Sequence, residues 1–67
     1  MERIRLVHDG NESIFDEEEY GNYEATYNAA KEFASGLKDY TVHGEGWLHQ
    51  DRVAFYNDVI RLQEATP

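Results

Sequence analysis

The spacing of hydrophobic and polar positions changes along this chain. From Arg3 to Val7 they alternate, Ile4 and Leu6 pointing one way and Arg3, Arg5 and Val7 the other, the pattern of a half-buried strand. Asp9-Gly10 follows, a dipeptide suited to a two-residue hairpin turn. A hairpin closed there sets His8 opposite Asn11, Leu6 opposite Ser13 and Ile4 opposite Phe15. Ile4, Leu6 and Phe15 then share one face, and residues 12–15 form a short return strand.

The period then lengthens to that of a helix. Tyr23, Tyr27, Ala30, Ala34 and Leu37 recur at steps of three and four, and Thr26 and Phe33 widen the stripe. Asn22 is a good N-cap, Gly36 stands where a left-handed terminal residue is wanted, and the alanines favour the helix. Asp16 to Glu19 reads as an exposed loop or irregular turn running to residue 21, with the helix starting at 22. Asp16 and Glu19 also fit a capping box, which would start a helix earlier.

Beyond Gly36, residues 40–49 form a second strand candidate, with Tyr40, Val42 and Leu48 on one face and Gly44 and Gly46 between them. Trp47 has the opposite parity and is expected to project away from the helix, as a partner contact or the seam of a homodimer. A bulge at 44–46 would instead turn it into the core. The segment 51–64 fits two patterns. As a helix capped by Asp51, its apolar residues cover half the circumference; as strands, turns at Gln50-Asp51 and Asn57-Asp58 place Phe55 opposite Gly46. Its β-branched and aromatic content favours strands. The expected architecture is a single α+β domain over 1–67, with an amphipathic helix (22–37) on a small antiparallel sheet. Its order is β-β-α-β followed by a strand pair, and a C-terminal helix at 52–64 is the alternative.

Composition narrows the function. The 67 residues are 40% hydrophobic with nine aromatics, enough for a small core. No cysteine is present, so stability must come from aromatic packing or a partner subunit. No apolar run approaches a membrane span, and Met1-Glu2-Arg3-Ile4 enters a strand directly, so a cytoplasmic location is expected. Fourteen acidic residues against six basic ones give a net charge of −8. That disfavours direct contact with nucleic acid or an anionic membrane and favours cationic partners, although an acidic surface also serves solubility alone.

From Leu6 to Ala30 there is no lysine or arginine, while Asp9, Glu12, Asp16, Glu17, Glu18, Glu19 and Glu24 supply half the acids. Carboxylates fixed on a scaffold can imitate a run of phosphates, and exposed tyrosines add flat contact area. The candidate contact surface is Asp16, Glu17, Glu18, Glu19, Tyr20 and Glu24, with Trp47 as a further contact. Glu17 and Glu18 have no evident structural duty, whereas Tyr23 and Tyr27 fall on the helix stripe and read as core, with contact residues as the alternative. Asp9, Asn11, Ser13 and Glu17 match part of a calcium loop, but Ile14 and Tyr20 occupy positions that need glycine and glutamate. His8, His43 and His49 are too dispersed for a metal site, and neither Ser13 nor Ser35 has a nucleophile–base pattern. No cofactor motif is present. The expected function is a non-enzymatic acidic protein that blocks a cationic, nucleic-acid-binding surface of a partner. By physical type it belongs with phage inhibitors such as anti-restriction or anti-CRISPR proteins. The alternative is a small structural or assembly subunit acting as a homodimer.

Overall fold

The computed structural model describes residues 2–65. Its elements are β1 (Arg3–His8), β2 (Asn11–Asp16), α1 (Glu17–Tyr20), α2 (Tyr23–Ser35), β3 (Thr41–Gly44) and α3 (His49–Ala65). The antiparallel sheet has the order β2-β1-β3, with β1 in the centre. Asp9 and Gly10 both take positive φ, 49° and 75°, as a type I′ turn requires. The expected register follows from that turn: His8 pairs with Asn11, Leu6 with Ser13 and Ile4 with Phe15.

Both long helices cover the same face of the sheet. Ile4, Leu6 and Phe15 from the hairpin and Val42 from β3 meet Ala30 and Ala34 of α2 and Phe55 and Val59 of α3. Fully burying each large apolar side chain here contributes about 1.5–3 kcal/mol. The two alanines let α2 lie close to the strands. Thr26, the buried polar residue of α2, donates its hydroxyl to the Asn22 carbonyl at 2.8 Å, so its burial leaves no orphaned group.

The helical segment is interrupted where residues 16–22 supply two caps in succession. The Asp16 carboxylate accepts from the Glu18 N–H at 2.9 Å and starts the single turn of α1, so this stretch is helical rather than an irregular loop. Gly21, at φ 96°, ends it. The Asn22 side chain then accepts from the Ala25 N–H at 2.8 Å and starts α2. At the far end Gly36 has φ −92°, not a left-handed conformation, and the helix closes with the Leu37 N–H donating to the Ala34 carbonyl at 2.9 Å.

Residues 51–64 belong to α3, which replaces the expected strand pair with the alternative helix. The reason is a set of contacts spaced for a helix. Phe55 and Val59 enter the core, and one turn before them Arg52 donates from Nε to the Val42 carbonyl at 2.9 Å. The Tyr56 hydroxyl accepts from the Val42 N–H at 3.0 Å. Together these side chains close the outer edge of β3, which a strand at 52–56 would otherwise have paired. Asp51 is not the N-cap; its carboxylate reaches back to the Leu48 N–H at 2.8 Å from within the first turn. Helix accounts for 53% of the described residues and strand for 25%.

Candidate functional site

The sheet register decides which charges share an end of the molecule. Ile4 lies beside Phe15 on one side and Gly44 on the other, so the chain before Ile4, after Phe15 and after Gly44 emerges at one end. Two backbone hydrogen bonds tie these segments together there: the Glu17 N–H donates to the Glu2 carbonyl and the Glu45 N–H to the Arg3 carbonyl, both at 2.9 Å. The start of α2 joins them, because Tyr23 lines a shallow groove with Glu2, Glu45, Trp47 and Asp51. Segments 2–3, 16–24 and 45–51 therefore meet. They carry eight of the chain's fourteen carboxylates and one arginine or lysine, Arg3.

Within this acidic end the expected contact residues divide. Asp16 is committed to the fold: besides capping α1, it accepts from Arg3 Nε at 3.3 Å. The hydrogen bond from the Glu18 N–H, with a smaller contribution from Arg3, holds its carboxyl below the usual carboxylate range despite some desolvation. Glu17 does have a structural duty, since its Oε2 accepts from the Glu2 N–H at 3.3 Å. Glu18, Glu19 and Glu24 are exposed and point to solvent from α1 and the first turn of α2. Tyr20 keeps one side on Phe15, with ring centroids 6.1 Å apart, and is otherwise exposed. The absence of basic residues between Leu6 and Ala30 does not hold in space, because Arg5 pairs with Glu12 at 2.7 Å across the hairpin just as Arg3 pairs with Asp16.

Trp47 is not an outward residue of a strand. β3 ends at Gly44, the chain turns through Gly46 at φ 77°, and the Trp47 N–H donates to the Gly44 carbonyl at 3.0 Å. The indole folds back over Gly44 and packs on the core, with ring centroids 5.7 Å from Phe55 and 6.2 Å from Tyr27. One edge remains in the groove beside Tyr23.

Tyr27 belongs to the core, as its place on the stripe implied. It stacks edge-on against Phe55, and its hydroxyl donates to the Asp58 carboxylate at 2.6 Å. Burial, that acceptor and the nearby negative charge all raise its pKa. Tyr23 is instead 40% exposed. Its phenol is also raised, chiefly by desolvation, with Glu2 and Asp51 adding repulsion against the phenolate and the Trp47 indole opposing them.

The remaining polar residues separate cleanly. His8 and Ser13 share a hydrogen bond of 3.1 Å between Nε2 and Oγ, a serine–histidine contact that sequence spacing did not reveal. A nucleophilic pair also needs a group to orient the base. The hydrogen bonds described for His8 supply none, and its ring rests edge-on against Phe33. His43 lies on the uncovered sheet face, where partial desolvation and then Arg5 and Arg52 lower its pKa. Asp9, Asn11 and Ser13 fall on the hairpin turn and β2, and among the described residues no group of three or more histidine or carboxylate side chains is placed to hold a metal ion. No described helix is long and apolar enough to cross a membrane.

Comparison with known proteins places the chain in no class: no family model, curated protein or solved structure matches it. The case for function therefore rests on the acidic end alone.

Proposed function

We propose that this protein is a non-enzymatic acidic binding protein that occupies a cationic surface of a partner, the kind of surface with which nucleic-acid-handling proteins hold phosphates. The observation that carries this reading is the gathering of eight carboxylates on three chain segments that the sheet register brings to one end, with Arg3 as their only lysine or arginine. Glu18, Glu19 and Glu24 are the contact carboxylates, and Asp16 and Glu17 hold the scaffold beneath them while adding to its field. Exposed charges of this kind act beyond direct contact over about a Debye length, ~8 Å at physiological salt, and so speed encounter with a basic partner. An inhibitor of phage type, directed at a restriction or CRISPR nuclease in a host cytoplasm, fits this physical description.

The test is capture of partners by the immobilised protein at low salt. A partner that fits is expected to be released by added salt and displaced by duplex DNA. The triple variant E18Q/E19Q/E24Q should fold normally and bind that partner at least ten times more weakly, a change of ~1.4 kcal/mol shared among three contacts. Capture that duplex DNA does not displace, or affinity unchanged in the triple variant, refutes the proposal. A second reading has one observation in its favour. Ile14 is 45% exposed on the sheet face that neither long helix covers, which suits a homodimeric assembly subunit. Sedimentation of the purified chain distinguishes a dimer from a monomer.

A further inference from the structure

The groove at the acidic end differs in kind from the carboxylates around it. It has a volume of about 250 Å³, and its wall is formed by the exposed ring of Tyr23 and the edge of Trp47, anchored against Phe55 and Tyr27. Three carboxylates, Glu2, Glu45 and Asp51, stand around it with no basic side chain in its lining. One oxygen of Asp51 is taken by the Leu48 N–H, and Glu45 is exposed. Aromatic faces attract cations through their quadrupole, tryptophan most strongly, and carboxylates match a guanidinium by charge and by paired hydrogen bonds. A planar guanidinium suits both at once, because it stacks on a ring while its edge donates to carboxylates.

We propose that this groove receives one arginine side chain of a partner protein, stacked on the exposed ring of Tyr23 alongside the Trp47 edge and paired with Glu2, Glu45 and Asp51. The proposal deepens the reading of the acidic end as a contact surface and rests on it. The exposed carboxylates of α1 and α2 steer a basic partner, and the groove gives the docked complex its register. Partial desolvation raises the Tyr23 phenol first, and Glu2 and Asp51 add a smaller repulsion of the phenolate.

Trp47 is the only tryptophan in the chain, so its indole N–H resonance and its emission report on the groove directly. The probe is a short Gly-Arg-Gly-Arg-Gly peptide, titrated into the isotope-labelled full chain at low salt, with a citrulline peptide of the same shape as control. The expected result is a saturable shift of the Trp47 indole N–H and of the Tyr23 and Glu45 amides with the arginine peptide alone. Glu45→Gln, at an exposed position with no described fold contact from its side chain, should weaken that binding about threefold, in the range of one exposed charge pair. Shifts confined to residues 16–20 and Glu24, with Trp47, Tyr23 and Glu45 unmoved, overturn the groove and leave the acidic surface standing. No shift anywhere overturns both. An equal response to the citrulline peptide overturns the assignment of a cation.

Discussion

Replacing Gly44 with alanine is the most direct test of where Trp47 sits. A Cβ built on Gly44 would lie 1.8 Å from Trp47 Cδ2 and 2.1 Å from Cε2, far inside van der Waals contact. Carbon atoms settle at about 3.5–4.0 Å, so the indole must retreat by more than an ångström or the turn must open. Neither movement is free. The ring packs against Tyr27 and Phe55, and its own backbone N–H is bonded to the Gly44 carbonyl at 3.0 Å. Overpacking of this kind costs about 1–3 kcal/mol, and weakening an aromatic pair costs a further ~0.5–1.5 kcal/mol. A loss of about 2–4 kcal/mol is therefore expected. For a domain of this size each kcal/mol moves the melting midpoint by ~4–8 °C, so Gly44→Ala should melt roughly 8–30 °C lower. Its tryptophan emission should shift to the red as the indole becomes wetter. Gly46→Ala is the control: with φ 77° and nothing within 4 Å of an added Cβ, it carries backbone strain without touching the ring. It should lose about 1–2 kcal/mol with emission unchanged. A Gly44→Ala protein that melts within about 3 °C of the parent, ~0.5 kcal/mol for a domain of this size, and keeps its emission would show that Trp47 does not rest on Gly44.

Far-ultraviolet circular dichroism should report helix for about half the chain, in line with the 53% of described residues in helices; a value near one quarter would restore strands to 51–64. Ala30→Asp places an unpaired charge in the core and should destabilise by several kcal/mol, while exposed Glu18→Gln should change stability by no more than ~0.5 kcal/mol. Equal melting temperatures for those two would disprove the assignment of the buried face of α2. Burial raises the Tyr40 pKa to about 12, with the neighbouring Tyr56 adding to it. Because the fold prefers the neutral phenol, its contribution is intact below pH ~10 and is lost as pH rises from there toward the folded value. Tyrosinate absorbance should accordingly titrate in more than one step, and a single step near pH 10 with the fold intact would contradict the buried environment.

The hairpin was the most legible part of the chain. Asp9-Gly10 restricts the turn, and once the turn is set, period-two alternation leaves one register that keeps Ile4, Leu6 and Phe15 together. The body of α2 was equally plain because Asn22, the alanines and the stripe agree. The segment 51–64 was not. Its β-branched and aromatic residues carry a strand propensity that tertiary contacts outweigh, and those contacts run from Arg52 and Tyr56 to the backbone of Val42, ten and fourteen residues earlier. For Trp47 the outward reading fails for a related reason, while the alternative of a break at 44–46 that turns it into the core holds. A parity argument assumes a continuous strand, and the strand stops at Gly44. For the site, the tract 16–24 was visible as a charge run, but Glu2, Glu45 and Asp51 join it only through the sheet register and the start of α3.

Part of that acidic clustering has a cause in the fold itself. Tyr27 meets Phe55 and Asp58, and Gln63 Nε2 donates to the Ser35 carbonyl at 3.2 Å, so α2 and α3 run side by side in the same direction. Their N-termini consequently share the acidic end with α1. Carboxylates in the first turn of a helix are stabilised by its dipole, each by ~0.3–1 kcal/mol at an exposed site. That accounts for Glu17, Glu18, Glu19, Glu24 and Asp51 without any partner. It does not account for Glu2 and Glu45, which sit at strand ends beside the peptide groups that bind Glu17 and Arg3. Those two carboxylates belong to no helix and are brought into a like-charged neighbourhood. With Asp51 they line the groove of Tyr23 and Trp47. Replacing both with glutamine should therefore relieve repulsion and leave the fold as stable or slightly more so, whereas the same change at Glu24 should cost the dipole term. The fold gives Glu2 and Glu45 no helix-capping role of their own, and their charge faces the groove.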